Sequence, residues 1–263
     1  MGSATTLALS STAASLDATA GVDLGVAGDL FAAARAIGGS PQLSSALSDS
    51  AAPATARAKV VTDVFGAVLS PVSVELLTAV VAQRWSRTAD LVEAVEELAV
   101  RSAAIAEPGA DVEGDLFRFS RTVAENGDLE LALGSRMGDE SAKGSLVTRL
   151  LEGRAAASST LIASSLVQQP RDRRVRVLLQ WAMRLVADQR GSTVATVVSA
   201  APLSDAQVER LRAALSARYG TEISVNTRID PHVVGGLRVQ IADDVIDASI
   251  STRLADLRQR LAG

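Results

Sequence analysis

Cysteine is absent, so the chain has no disulfide framework, no thiol chemistry and no thiolate zinc site. Its single histidine, His232, excludes a histidine-cluster metal site and leaves one imidazole at most for base chemistry. Aromatic residues make up 3% against 48% hydrophobic residues, so a core must be assembled from Ala, Leu and Val. Such a core suits closely packed helices better than an aromatic-rich β-sandwich. Lysine occurs only at Lys59 and Lys143, and arginine carries the remaining positive charge. The formal net charge of −4 lacks the basic excess of a dedicated nucleic-acid binder. No run approaches the ~18 apolar residues of a membrane helix. The stretch 1–16 is Ser/Thr/Ala-rich without a basic start and reads poorly as a signal peptide. These absences point to a soluble intracellular protein, and 263 residues allow two domains or three small ones.

Helical periodicity governs the first 190 residues. Leu9, Ala13, Leu16 and Ala20 fall on one face, and Val22, Val26, Leu30, Ala34 and Ile37 on the next, stopped by Gly38-Gly39. Ser40-Pro41 and Ser70-Pro71 place a cap before a proline, the signature of a helix start. Between them a segment carries Val60, Val64, Phe65 and Val68. The longest segment begins at Thr88 with Leu91, Val95, Leu98 and Ile105 on its inner face, and Glu107-Pro108-Gly109 ends it.

The pattern then recurs. Asp29-Leu30-Phe31 with Arg35 is echoed by Asp115-Leu116-Phe117 with Arg121, a displacement of 86 without a gap. The same displacement sets Leu43 on Leu129, Leu47 on Leu133, Val61 on Val147 and Arg87 on Arg173. Apolar matches alone follow from any shared helical period; a constant offset that also matches the triplet, the arginines and the breaks points to duplication. The expected organisation is a first helical bundle over 1–109, a second over 110–190 and a small α/β module over 192–263. Mainly α with two tandem bundles is thus the expected fold class.

After Gly191 the pattern changes. The β-branched run 193–198 suits a buried strand. Ser204 and Gln207 form a capping box for a helix with Val208, Leu211 and Leu215 on one face, stopped by Gly220. Alternation over 221–230 and 236–241, with a turn at Asp243-Asp244, adds strands, and 251–261 reads as a terminal helix with Leu254, Leu257 and Leu261 inward.

The segment 230–249, with Asp230, Gly235-Gly236, the Asp243-Asp244 turn, Asp247 and Ser249, closely resembles the C-terminal signature of the delta subunit of F-type ATP synthase, the oligomycin-sensitivity-conferring protein family. The segment 198–204 is similar to the family's entry into that domain. The family usually has one bundle, and two mark a long, actinobacterial-like form. The resemblance implies a non-catalytic peripheral-stalk subunit without cofactor, at the cytoplasmic face of the cell membrane and held there indirectly. It implies that the helical part binds the N-terminal segments of the alpha subunits and that the tail module grips a b-type stalk subunit. The motif residues Gly235, Gly236, Asp247, Ser249, Leu254 and Leu257 would be structural or partner-binding.

Other chemistry finds little footing. His232 follows Asp230-Pro231, but no nucleophile motif accompanies it, so a hydrolase there is a remote alternative. Gly21–Gly25 and Gly235-Gly236 lack the Lys-Ser/Thr of a phosphate loop. The arginine run 171–176 is the one basic patch. It reads as a helix start, or as a docking surface for an acidic partner; a helical adaptor for nucleic acid or such a partner is the competing function. Trp85 and Trp181 read as packing residues.

Overall fold

A computed structural model describes residues 2–247 apart from 136–137, 172, 232, 234 and 242–243. The described chain divides into two units, Met1–Val186 and the part from Ala187 onward.

The first unit is helical: α1 (Ser3–Asp17), α2 (Leu24–Gly39), α3 (Pro41–Ser48), α4 (Ala54–Phe65), α5 (Pro71–Ala82), α6 (Thr88–Ala106), α7 (Val112–Glu125), α8 (Gly127–Gly134), α9 (Glu140–Leu151), α10 (Ala157–Gln168) and α11 (Val175–Gln189), whose last turn passes into the second unit. The displacement of 86 recurs in space. Shifted by that number, α3, α4 and α5 land on α8, α9 and α10 with both ends of each helix matching. One cap is repeated as well: Ser40 Oγ accepts from the Leu43 N–H at 3.3 Å before α3, and Asn126 Oδ1 from the Leu129 N–H at 3.1 Å before α8. Each supplies an acceptor to a first-turn amide that has no partner inside its helix.

One apolar core runs through this unit, from Ala8 in α1 to Val186 in α11. It is built from small and aliphatic side chains, with Phe31, Phe65, Phe119 and Trp85 as its buried aromatic members. The helix α6 is buried along both sides, including Leu91, Val92, Val95, Leu98 and Ala99. Its charged Glu97 and Arg101 are buried too, as an i,i+4 pair at 2.8 Å. A buried charge is tolerated when an opposite charge and hydrogen bonds replace its water.

Two faces differ from the periodicity reading. On α1 the buried set is Thr5, Ala8, Thr12 and Leu16, so the inward face is rotated from Leu9 and Ala13, and Leu7 is exposed. Polar side chains can face inward there because Thr5 Oγ1 donates to Asp90 Oδ2 at 2.7 Å and Thr12 Oγ1 to the Leu9 carbonyl at 3.0 Å. On α4 the buried set is Arg57, Val61 and Phe65, while Val64 and Val68 are exposed. The Arg57 guanidinium ends at the carboxyl end of α5, donating to the Gln83 carbonyl at 2.9 Å.

The second unit holds a four-stranded mixed sheet in the order β2-β1-β3-β4, formed by β1 (Ser192–Ser199), β2 (Glu222–Ile229), β3 (Leu237–Ile241) and β4 (Asp244–Asp247), with α12 (Asp205–Tyr219) between β1 and β2. β1 pairs in parallel with β2 along all eight residues, and antiparallel with β3 from Ala195↔Ile241 to Ser199↔Leu237. Ala195, Val197, Ile223, Val239 and Ile241 form its core with Leu215 of α12. Gly220 closes α12 at φ 68°, a left-handed conformation that glycine adopts without steric cost. The expected terminal helix, 251–261, lies outside the described residues.

Candidate functional site

The residues singled out by sequence divide by where they fall. Gly235 and Gly236 stand at φ 66° and 80°, immediately before β3, where a side chain would put Cβ against its own backbone. The bend they make is tied by Gly235 N–H to the Val233 carbonyl at 2.9 Å and by Val233 N–H to the Asp230 carbonyl at 3.1 Å. Asp230 N–H in turn donates to the Ser199 carbonyl at 2.8 Å, which fixes the loop to the end of β1. These two glycines shape backbone and hold no reacting group. Asp247 ends β4, opposite Arg238 in the β3 register. His232, Ser249, Leu254 and Leu257 lie outside the described residues.

Most of the arginine run is drawn to carboxylates of its own chain, while Arg174 is exposed. Arg171 and Arg173 both donate to Glu96 Oε2 of α6, the latter at 2.7 Å, and the Glu96 carboxylate is nearly buried. Arg173 also lies 5.2 Å from the centre of the Trp181 ring, a cation–π distance, and 3.6 Å from Glu93. Arg176 pairs with Glu130 of α8 at 3.1 Å. Three of the arginines are therefore matched to carboxylates of the same chain. The carboxylates they donate to lie 46, 75 and 77 residues away, and Glu93 farther still, beyond the reach of local sequence patterns. Trp85 is buried, with its indole N–H on the Val80 carbonyl at 3.0 Å, and Trp181 packs against the core.

Sequence reasoning placed Asp29 and Asp115 in matching triplets without seeing what they do. Asp29 Oδ2 accepts from the Ser70 N–H and the Ser73 hydroxyl, both at 2.9 Å, at the start of α5. Asp115 Oδ2 accepts from the Ala156 N–H at 2.8 Å and the Ser159 hydroxyl at 2.7 Å, at the start of α10. Both carboxylates thus bind the amino end of a helix, where free N–H groups and the helix dipole favour negative charge. Burial works to raise the Asp115 carboxyl, but the Ala156 amide, the Ser159 hydroxyl and Arg118 outweigh it and hold the group below the usual carboxylate range. At Asp90 burial is likewise outweighed, by the Thr5 hydroxyl and the Arg87 guanidinium. Burial lowers the Arg35 guanidinium from its ordinary value, with Glu140 and Glu96 opposing. Asp29, Asp90 and Asp115 each hold one helix to another.

Among the described residues, no three His, Cys, Asp or Glu side chains gather as a metal site would require, and no helix is long and apolar enough to cross a membrane. Two open surface depressions are lined by Ser141, Gly144, Thr148 and Gln168, and by Gly127, Glu130 and Leu131. What the molecule offers its surroundings is helix surface and a sheet, with Leu7, Val68 and Leu131 among the exposed large apolar residues.

Comparison with known proteins adds the missing context. Residues 99–261 match the family model described as ATP synthase delta (OSCP) subunit. An ATP synthase subunit delta from Leifsonia xyli is 48% identical over the whole of both chains. Another from Streptomyces avermitilis is 43% identical over 82% of this chain and 81% of its own. A third, from Kineococcus radiotolerans, is 42% identical over 92% of this chain and 90% of its own.

Proposed function

This chain belongs to the ATP synthase delta (OSCP) subunit family, and from that premise we propose that it is a non-catalytic peripheral-stalk subunit joining the catalytic head of a proton-translocating F-type ATP synthase to its membrane-anchored stalk. The observation that carries this reading is the similarity along the whole length, helical unit and sheet unit together, to a delta subunit. In the proposed arrangement the helical unit holds the N-terminal segments of the alpha subunits, and the tail module holds the end of a b-type stalk subunit. The terminal segment with Leu254 and Leu257 is the first place to look for the stalk contact, and the motif residues Gly235, Gly236, Asp247 and Ser249 precede it in sequence.

The physics fits a tether. Head and stalk must stay joined while the rotor turns, which calls for two separate grips in one chain and for reversible contacts that add in series. An amphipathic partner helix laid along a helical surface provides such a grip without metal or cofactor. The chain would sit at the cytoplasmic face of the cell membrane through its partners. The inward pairing of Arg171, Arg173 and Arg176 weighs against a nucleic-acid adaptor that would need those charges free.

Membrane particles stripped of the chain test the reading. They should retain ATP hydrolysis while losing ATP-driven proton pumping, and the purified full chain should restore pumping. Particles that stay coupled without it would overturn the proposal.

A further inference from the structure

We infer that α6 is a shared helix, at once the last helix of the first repeat and the first helix of the second, so that the two repeats are joined without a hinge. The inference concerns the chain alone and does not rest on the stalk reading.

The displacement of 86 carries α6 onto α11, and it also carries α1 onto α6. The buried face of α1, Thr5, Ala8, Thr12 and Leu16, maps onto Leu91, Ala94, Leu98 and Ser102 of α6, all of them buried. Leu178, Ala182, Leu185 and Val186, buried in α11, map back onto Val92, Glu96, Ala99 and Val100 of α6, again all buried. The two faces are complementary. In α1, of the positions matching the second set, Thr6, Ser10 and Ala14 are exposed and Ala13 is half-buried. In α11 the positions matching the first set, Val177, Gln180 and Arg184, are exposed. Only α6 carries both faces inward, because it alone has a repeat on each side.

Neighbours agree. α1 packs on α5, and α6 packs on α10, which is the same relation one repeat later; α2 on α5 and α7 on α10 form a second such pair. The segment after α6 is pinned, with Glu107 Oε2 accepting from the Ser158 N–H at 2.7 Å in the first turn of α10. The outer faces of α1 and α11 bear largely polar residues, as terminal repeats of a stacked array must. The array therefore closes at two repeats, which overlap over 88–106 rather than meeting at 109/110.

Amide hydrogen exchange on the full chain tests this. Removing side-chain volume from either face of α6, by Leu98→Ala or the milder Val100→Ala, should speed exchange about tenfold or more in peptides from α2–α5 and from α7–α10 alike. The Val100→Ala variant decides the matter should Leu98→Ala fail to fold. Faster exchange confined to one set of helices, or unchanged exchange in both, would overturn the proposal.

Discussion

The two repeats of the helical unit use one device under different conditions. Asp29 and Asp115 each bind the amino end of a helix 41 residues downstream, through one backbone amide and one serine. Asp29 is half-buried, and among the described residues its side chain pairs with Ser70 and Ser73 and with no arginine. Asp115 is more deeply buried, and Arg118 donates to its second oxygen at 2.6 Å. Arg118 stands where the first repeat has Ala32. A carboxylate deeper in the structure needs more hydrogen bonds to remain charged, and the second repeat supplies them.

Substitutions at matched positions can sharpen or break this comparison. The largest contrast lies between Leu91 and Val177, which correspond by the displacement of 86 but are fully buried and half-exposed respectively. Leu91→Ala should cost about 2–5 kcal/mol in denaturant unfolding. Val177→Ala should stay within about 0.5 kcal/mol, and similar costs at both sites would contradict the double role of α6. Next come the two clasps. Asp115→Ala strands a part-buried amide and a buried hydroxyl, at a cost of about 2–3 kcal/mol, against about 1 kcal/mol for Asp29→Ala.

The smallest effect is a pH dependence. A carboxyl held below its unfolded value stabilises the fold above that value, about pH 4. The stability is lost as pH falls through the folded value. Acid titration of stability should therefore be steeper below about pH 4 in the native chain than in Asp115→Asn. Equal slopes would remove the acid-side role assigned to Asp115.

Much of this could be read from the residues. The offset of 86 lies in the Asp-Leu-Phe triplets, and the helix ends lie in Ser40, Pro41, Ser70 and Gly220. The β-branched run 193–198 stands as the inner strand β1, paired on both sides. Other features were hidden for physical reasons. Periodicity assigns a helix one inward face, so Leu91, Val95 and Leu98 mark one side of α6 and say nothing of Glu96, Glu97 and Arg101, which are buried too. Their burial depends on pairing, and for Glu96 the partners are Arg171 and Arg173, far along the chain. The same distance made those arginines look like an exposed basic patch. In the tail, alternation located β2 but could not say that it runs parallel to β1.

Fluorescence offers the most direct test of the helical unit as one body, because each repeat carries one tryptophan, Trp85 in the first and Trp181 in the second. Trp181→Phe and Trp85→Phe leave one reporter each, and Leu47→Ala in α3 then weakens the first repeat alone. The shared-helix account predicts that both reporters unfold at one denaturant concentration and that Leu47→Ala lowers both midpoints together. A midpoint that moves for Trp85 while the Trp181 transition stays in place would contradict it.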